Sequence, residues 1–174
     1  MKKIVGIIIV IIFAAVGFLA ARYGVDYTNT HSKFWQEVST SEMSMTIPKS
    51  MKKGQNYRSS TGWESVAVYS NSKASAVVAK SSNAEFQNLN IESYINSISV
   101  NGTKLTASKI NNGYYTKYVG GDASSENTSD KSFNIEGFFQ GKDAIYDVKF
   151  SCSVSDRDEY ESAMMEWLES FQLK

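Results

Sequence analysis

The sequence predicts an α+β domain: a mainly antiparallel β-sheet flanked by helices and preceded by one N-terminal transmembrane helix. Three observations support this fold class. An apolar run opens the chain, alternating segments follow in pairs separated by short turns, and the last segment repeats its apolar residues at helical spacing. Strands joined by short turns are antiparallel, and an amphipathic helix covers one face of such a sheet.

The first element is the apolar run from Ile4 to Ala21, which has 18 residues. As a helix it would measure roughly 27 Å at about 1.5 Å per residue, close to the thickness of a bilayer's hydrocarbon core. Because Lys2 and Lys3 precede the run, the positive-inside tendency places the N-terminus in the cytoplasm and the remaining chain outside. We expect a signal-anchor over residues 1–24 in the cell membrane, and secretion after signal cleavage is the alternative.

Small residues recur four positions apart within this run. Gly17 and Ala21 form one such pair, and pairs of this kind let two membrane helices approach closely. The spacing therefore predicts a homodimer through these two residues, against the alternative that a short apolar run contains such pairs by chance.

The segment that follows the anchor has no clear period. Residues 25–41 are expected to form a juxtamembrane linker to an extracytoplasmic domain over residues 42–174. That domain begins with an alternation of Met43, Met45 and Ile47, which predicts a half-buried strand that ends at a proline.

Three hairpins are predicted next. "WESVAVYS" and "ASAVVAKS" form the first, the turn formers Asn112 and Gly113 join "KLTASKI" to "YYTKYVG" in the second, and "FNIEGFFQ" with "AIYDVKFSCSV" forms the third. The alternation in the last strand predicts an inward face of Tyr146, Val148, Phe150 and Cys152. It predicts an outward face of Ile145, Asp147, Lys149 and Ser151.

Two segments change to a helical period. The first follows Asn90, a candidate N-cap, and is expected to stop at Gly102. The second is the most regular pattern in the chain, with an apolar stripe of Tyr160, Ala163, Met164, Trp167, Leu168 and Phe171. Burial of that stripe would fix the C-terminal helix to the sheet.

These segments resemble the PsbP-like superfamily, which includes a photosystem II subunit, a Ran-binding factor and bacterial envelope proteins. The resemblance covers residues 42–173 and lies in a first strand that ends in "MTIP", a strand opened by Trp63, and the closing "MEWLESFQL". The chain departs from the pattern because a longer basic loop precedes Gly62 and Trp63. The resemblance implies an antiparallel sheet with helices, and partner binding instead of catalysis.

The residue inventory argues against most catalytic mechanisms. The single histidine, His31, lies in the expected linker, and the single cysteine, Cys152, lies within a predicted strand, so no nucleophile and base pair is indicated. Carboxylates alone can hydrolyse glycosides. Glu136 and Asp147, on neighbouring strands of one hairpin, are the candidates for such an enzyme.

Two charged clusters are candidate ligand sites. Asp122, Glu126 and Asp130 share one polar loop and are weak candidates for a hard cation, against an ordinary solvated loop. A basic cluster is a candidate for binding an anionic partner, and consists of Lys49, Lys52, Lys53 and Arg58. The 18 basic and 18 acidic residues balance, which argues against nucleic acid as a partner.

The leading interpretation is a membrane-anchored extracytoplasmic binding module without a cofactor, which engages a protein or cell-envelope polymer and performs no catalysis. A pilin-like structural subunit is one alternative, since such proteins also place an apolar helix before an α+β head. In that case processing would follow Gly6, and Ile11 would replace the glutamate expected at that position. A carboxylate-only hydrolase is the other alternative.

Overall fold

The structure is a computed structural model that describes residues 23–59, 62–121 and 131–174. The expected anchor lies outside these residues, and so does the acidic loop with Asp122, Glu126 and Asp130. Within the described ranges, every helix is too short or too polar to cross a bilayer.

In the described chain, helices lie at the start, in the middle and near the end, and runs of strands lie between them. The helices are α1 (residues 23–30), α2 (Ala84–Gln87), α3 (Ile91–Ser97) and α4 (Arg157–Glu169). The first strands are β1 (Trp35–Ser39), β2 (Met43–Pro48), β3 (Lys52–Lys53), β4 (Glu64–Ser70), β5 (Ala74–Ser81) and β6 (Ser99–Val100). The later strands are β7 (Thr103–Lys104), β8 (Ser108–Ile110), β9 (Gly113–Gly121), β10 (Lys131–Gln140), β11 (Ile145–Ser153) and β12 (Gln172–Leu173).

Seven strands form the central sheet in the order β3-β4-β5-β11-β10-β9-β8, and every neighbouring pair is antiparallel. A second sheet has the order β1-β2-β12, and β6 pairs with β7 in a short ribbon. The predicted α+β class with a mainly antiparallel sheet and helices is therefore confirmed for the described residues.

The main core lies between one face of the central sheet, α4 and the three-stranded sheet. The predicted apolar stripe of α4 is buried there, and Trp167, at 0% exposed, packs edge-on against Trp35, Phe150 and Tyr160. The alternation in β2 is also confirmed, because Met43, Met45 and Ile47 are buried in the same core. These contacts attach α4 and β2 to the sheet.

The end of α4 is connected to β2 by hydrogen bonds. The Ser170 hydroxyl accepts from the Thr46 backbone N–H at 2.8 Å and donates to the Trp167 carbonyl at 2.6 Å. The next residue, Phe171, is buried and its ring lies 4.7 Å from that of Phe139. The closing "ESF" of the sequence therefore joins the helix to both sheets.

The opposite face of the central sheet carries a smaller second core. Ile91 and Ile95 of α3 and Leu105 pack there against Phe138 and Ile145. The prediction that Ile145 faces outward is wrong, since it is completely buried. The side chains of β11 do alternate between the two faces, but α3 and the segment after it cover the second face as well.

The segment without a period is ordered and packs on the domain. Residues 23–30 are helical, and β1 pairs with β2 from Trp35↔Pro48 to Ser39↔Ser44. Side chains of α1 reach the core, because Asn29 donates to the Tyr160 hydroxyl at 2.7 Å. Neither element has a clear apolar period, and the polar contacts that attach α1 are long-range. The boundaries expected at residues 24 and 41 stay a prediction.

The predicted N-cap of α3 is confirmed, whereas the predicted end of the helix is wrong. The Asn90 side chain accepts a hydrogen bond from the Ser93 backbone N–H at 2.9 Å. The helix ends at Ser97 instead of continuing to Gly102, because the chain turns into the β6–β7 ribbon. Gly102 serves the turn of that ribbon, where its φ of +77° suits a glycine.

The second hairpin turns one residue earlier than expected. Ile110 pairs with Gly113, so Asn111 and Asn112 form the turn, and Asn111 has a φ of +40°. Gly113 belongs to β9, where a Cβ atom would lie 2.4 Å from the Phe138 carbonyl oxygen. Close packing against β10, and not the turn conformation, requires glycine here.

Replacing Trp167 by alanine should reduce the free energy of unfolding by about 3–5 kcal/mol, because it removes the largest fully buried side chain. Chemical denaturation measures the loss. The exposed neighbour Glu166 provides the control, and Glu166→Ala should change stability by less than about 0.5 kcal/mol. Equal effects of the two substitutions would show that α4 is not docked as described.

Candidate functional site

A cavity of about 340 Å³ opens on the second face of the central sheet, beside the second core. Its wall contains aromatic rings and two carboxyl groups, and includes Trp63, Tyr94, Tyr118, Glu136, Phe138 and Asp147. We call it the carboxyl cavity. It combines apolar walls with a few polar groups, which is the usual character of a ligand site.

The strand register brings the two carboxyl groups together. Phe138 of β10 lies opposite Asp147 of β11, so Glu136 and Asp147 are diagonal neighbours on the same face of the sheet. Asn134 lies opposite Tyr118, which places the Tyr118 ring of β9 on this face too. The floor of the cavity is therefore made by three adjacent strands.

The aromatic wall comes from segments outside these strands. Trp63 precedes β4, and its ring lies 5.4 Å from that of Phe86 in α2. Tyr94 of α3 follows at 6.3 Å from Phe86, and the Phe138 ring lies 5.8 Å from Tyr94. Edge contacts of this kind stabilise the arrangement, so the rings form a continuous wall between α2 and the sheet.

The two carboxyl groups have different hydrogen-bond partners. Tyr118 donates its hydroxyl proton to Glu136 Oε2 at 2.6 Å. Asp147 as a residue is half-buried, but its Oδ1 atom is completely buried and has no hydrogen-bond partner. Thr116 and Trp167 also carry unpartnered buried atoms, but neither residue lines this cavity.

Burial changes the protonation of this pair. Loss of solvent raises the pKa of Asp147 well above its ordinary value, and the negative charge of Glu136 raises it further, against a smaller opposite effect of Lys149. Burial and the same carboxyl groups raise the pKa of the Tyr118 and Tyr94 hydroxyls. The Asp147 carboxyl therefore keeps its proton over a pH range in which a solvated aspartate would lose it.

The structure places the members of the basic cluster in different positions. Lys49, Lys52 and Lys53 are exposed, the last two on the edge strand β3. Arg58 lies between two residues of the cavity wall and forms an ion pair with Glu64 at 3.2 Å. Exposed lysines on an edge strand also oppose edge-to-edge pairing. A role of this cluster in partner binding stays a prediction.

The other residues considered for chemistry lie apart from the cavity. His31 Nδ1 lies 2.9 Å from the Tyr27 carbonyl oxygen, next to α1. Cys152 is buried on the first face of the sheet, where burial raises the pKa of its thiol to about 12. Among the described residues, no three His, Cys, Asp or Glu side chains converge on a metal position.

Sequence patterns indicated only part of this cavity. They named Glu136 and Asp147 as neighbours in one hairpin. They did not indicate Trp63, Tyr94 and Tyr118, since these residues come from three separate segments that meet only in the folded chain. The one indication in the sequence was the longer loop before Gly62 and Trp63, because Trp63 forms part of the cavity wall.

No protein-family model matches the chain, and no curated protein matches its sequence. Solved structures are similar to it in fold. The cyanobacterial PsbP protein (CyanoP) of Synechocystis sp. PCC 6803 is similar with a TM-score of 0.57 and 11% identity, over 80% of this chain and 92% of that one. The chain therefore has a PsbP-like fold, as the sequence resemblance implied.

Two further structures are similar at lower scores. The Ran-binding protein Mog1p of Saccharomyces cerevisiae has a TM-score of 0.49 and 11% identity, over 80% of this chain and 95% of that one. A protein of Bacteroides thetaiotaomicron has a TM-score of 0.48 and 12% identity, over 76% of this chain and 45% of that one.

Replacing Asp147 by asparagine should stabilise the protein relative to wild type, increasingly as the pH rises. The folded carboxyl keeps its proton to a higher pH than the unfolded one, so wild type loses stability between the ordinary pKa of 3.8 and the raised folded pKa. Asparagine has no carboxyl group to ionise, so the variant does not lose stability in this pH range. Urea denaturation at a series of pH values measures the difference.

Glu161 provides a control of opposite sign. A hydrogen bond from Lys117 lowers its pKa, so its contribution to stability is present above the unfolded pKa and is lost as the pH falls through the folded pKa. Glu161→Gln should therefore lose stability relative to wild type as the pH rises. A pH-independent difference for Asp147→Asn would contradict the raised pKa.

Proposed function

We propose that the protein is a non-catalytic binding module and that the carboxyl cavity is its binding site. The supporting observation is the buried Oδ1 atom of Asp147, a hydrogen-bond acceptor without a donor inside an aromatic cavity. Leaving such a group unpaired is costly, and a ligand that supplies a donor removes the cost. The PsbP-like fold supports the same reading, because the sequence resemblance implied partner binding.

A carboxylate-only hydrolase with Glu136 and Asp147 as its two carboxyl groups is the alternative. The observation behind it is that the two groups lie on neighbouring strands and that the pKa of one of them is raised. A glycosidase of this kind needs room for a sugar between carboxyl groups that lie about 5 Å or more apart. Turnover of a glycoside that is lost in Glu136→Gln would support this alternative over the binding module.

We further propose that the module is held at the outer face of a membrane by residues 4–21. The apolar run and the preceding lysines support this, as described above. α1 begins directly after the run and is joined to the domain through Asp26 and Asn29, which both hydrogen-bond to Tyr160. An anchor continuous with α1 would hold the domain close to the bilayer.

Crosslinking in intact cells tests the binding site. A photo-crosslinking aromatic amino acid in place of Tyr57, a half-exposed residue of the cavity wall, should capture a partner. The same amino acid in place of the exposed Ser162 of α4 is the matched control and should capture less. Adding Trp63→Ala should reduce capture from position 57 several-fold, because it removes part of the wall.

Equal capture from positions 57 and 162, or capture that is insensitive to Trp63→Ala, would place the interaction elsewhere on the surface. Stronger capture by the same amino acid at position 52 or 53 would assign binding to the basic cluster.

Fractionation tests the anchor. The full chain should remain with membranes after alkaline carbonate extraction, and externally added protease should degrade its domain in cells with a permeable wall. A chain lacking residues 4–21 should be recovered in soluble form. Recovery of the full chain from the cytosol would refute the proposed location, and recovery from the medium would support signal cleavage.

A further inference from the structure

We infer that the carboxyl cavity binds a primary ammonium group on an aliphatic arm, as found on a lysine side chain or on a free diamine. This inference rests on the proposed function, since it names the ligand class of the same cavity. The observation behind it is Asp147 Oδ1, a buried hydrogen-bond acceptor that receives no hydrogen bond.

An ammonium group matches the hydrogen-bonding state of the cavity. It has three donors and no acceptor. Asp147 Oδ1 has no partner and Glu136 receives one hydrogen bond from Tyr118, so two neighbouring carboxyl groups offer acceptors to one cation. Charge-assisted hydrogen bonds of this kind are about twice as strong as neutral ones.

The aromatic wall suits the same ligand. Tyr118, Trp63 and Phe138 line the cavity, and ring faces attract cations. The chain shows this chemistry itself, because Lys149 Nζ lies 5.3 Å from the centroid of the Tyr118 ring. Lys149 is directly opposite Glu136 in the register, yet it leaves Asp147 Oδ1 without a partner. Asp147 is part of the cavity wall, so a cation that enters the cavity comes next to its carboxyl group.

The donor set does not suit a metal ion. Calcium takes six to eight oxygen ligands, and zinc takes histidine or cysteine ligands in most sites. The cavity offers two carboxyl groups among mainly aromatic and aliphatic side chains. An organic cation with an apolar arm fits both parts of this surface, since the arm contacts residues such as Leu105 and Ile98.

Binding would release a proton. Asp147 faces Glu136 from β10, Tyr118 from β9, Tyr94 from α3 and Lys149 from its own strand. In the free protein Asp147 holds a proton below its raised pKa. When the ammonium enters, the O–H bond of Asp147 breaks, its proton passes to solvent, and two carboxylates face one cation. The affinity should therefore rise with pH by up to about tenfold per unit below the raised pKa.

Calorimetric titration of the full chain in nonionic detergent tests the inference. The probes are cadaverine, Nα-acetyl-lysine methylamide and the neutral analogue 1,5-pentanediol. We expect both amines to bind and the diol not to bind. The heat of binding should differ between phosphate and HEPES at one pH, because the released proton is taken up by buffers of different ionisation enthalpy.

Three variants make the result specific. Asp147→Asn should weaken amine binding about tenfold and abolish proton release, since asparagine keeps the shape without the charge. Trp63→Ala should weaken binding about fivefold without changing proton release. Glu161→Gln, which removes a carboxyl group outside the cavity, should have no effect.

The two amines distinguish the source of the group. Tighter binding of the lysine derivative indicates a protein partner, and tighter binding of cadaverine indicates a free amine; both outcomes support the inference. Equal binding of cadaverine and pentanediol, or unchanged binding to Asp147→Asn, would overturn it. In that event, crosslinking from position 57 that is reduced by Trp63→Ala would still support the binding module, with a neutral group as its ligand.

Discussion

Burial of the β10–β11 pair on both faces is the constraint on which the rest of the structure depends. On the first face α4 approaches so closely that a Cβ atom on Gly137 would lie 2.8 Å from the Leu168 side chain. On the second face Phe138 and Ile145 are covered by α3 and the segment that follows it. Successive side chains of a strand point to opposite faces, so the polar residues of this pair lie beside packed segments on either face.

The charged side chains of the domain respond to this constraint in two ways. Glu42 is paired with Lys80 at 2.7 Å and accepts from the Tyr146 hydroxyl, and these contacts lower the pKa of its carboxyl. Lys73 lies between Asp26 and Asp156 in a similar way. Asp147 has no ion pair of this kind, and burial raises its pKa against a smaller opposite effect of Lys149. The buried and unpartnered Oδ1 atom of Asp147 carries a stability penalty, which is typical of functional positions.

The N-terminal part of the described chain is tied to the core by polar contacts. Asn29 is completely buried, donates to Tyr160, and accepts from Ser50 and Asn71 at 2.6 and 3.1 Å. Trp35 donates its indole N–H to the Asn29 carbonyl at 2.8 Å. Buried networks that are satisfied in this way fix one arrangement of the elements they join. α1 and β1 therefore belong to the packed structure, and whatever precedes residue 23 is connected to the core without a flexible spacer in the described part of the chain.

Local sequence patterns were enough to predict part of the structure. The apolar stripe of α4, the alternation of β2, the inward positions Val148 and Phe150, and the Asn90 cap all depend on neighbours within a few residues, so local periodicity shows them. The burial of Ile145 and the packing of α1 on the core follow only from the folded chain. It also brought Trp63, Tyr94 and Tyr118 around Glu136 and Asp147. These features depend on contacts between segments far apart in the chain, and a local pattern carries no information about which segment will cover a given face.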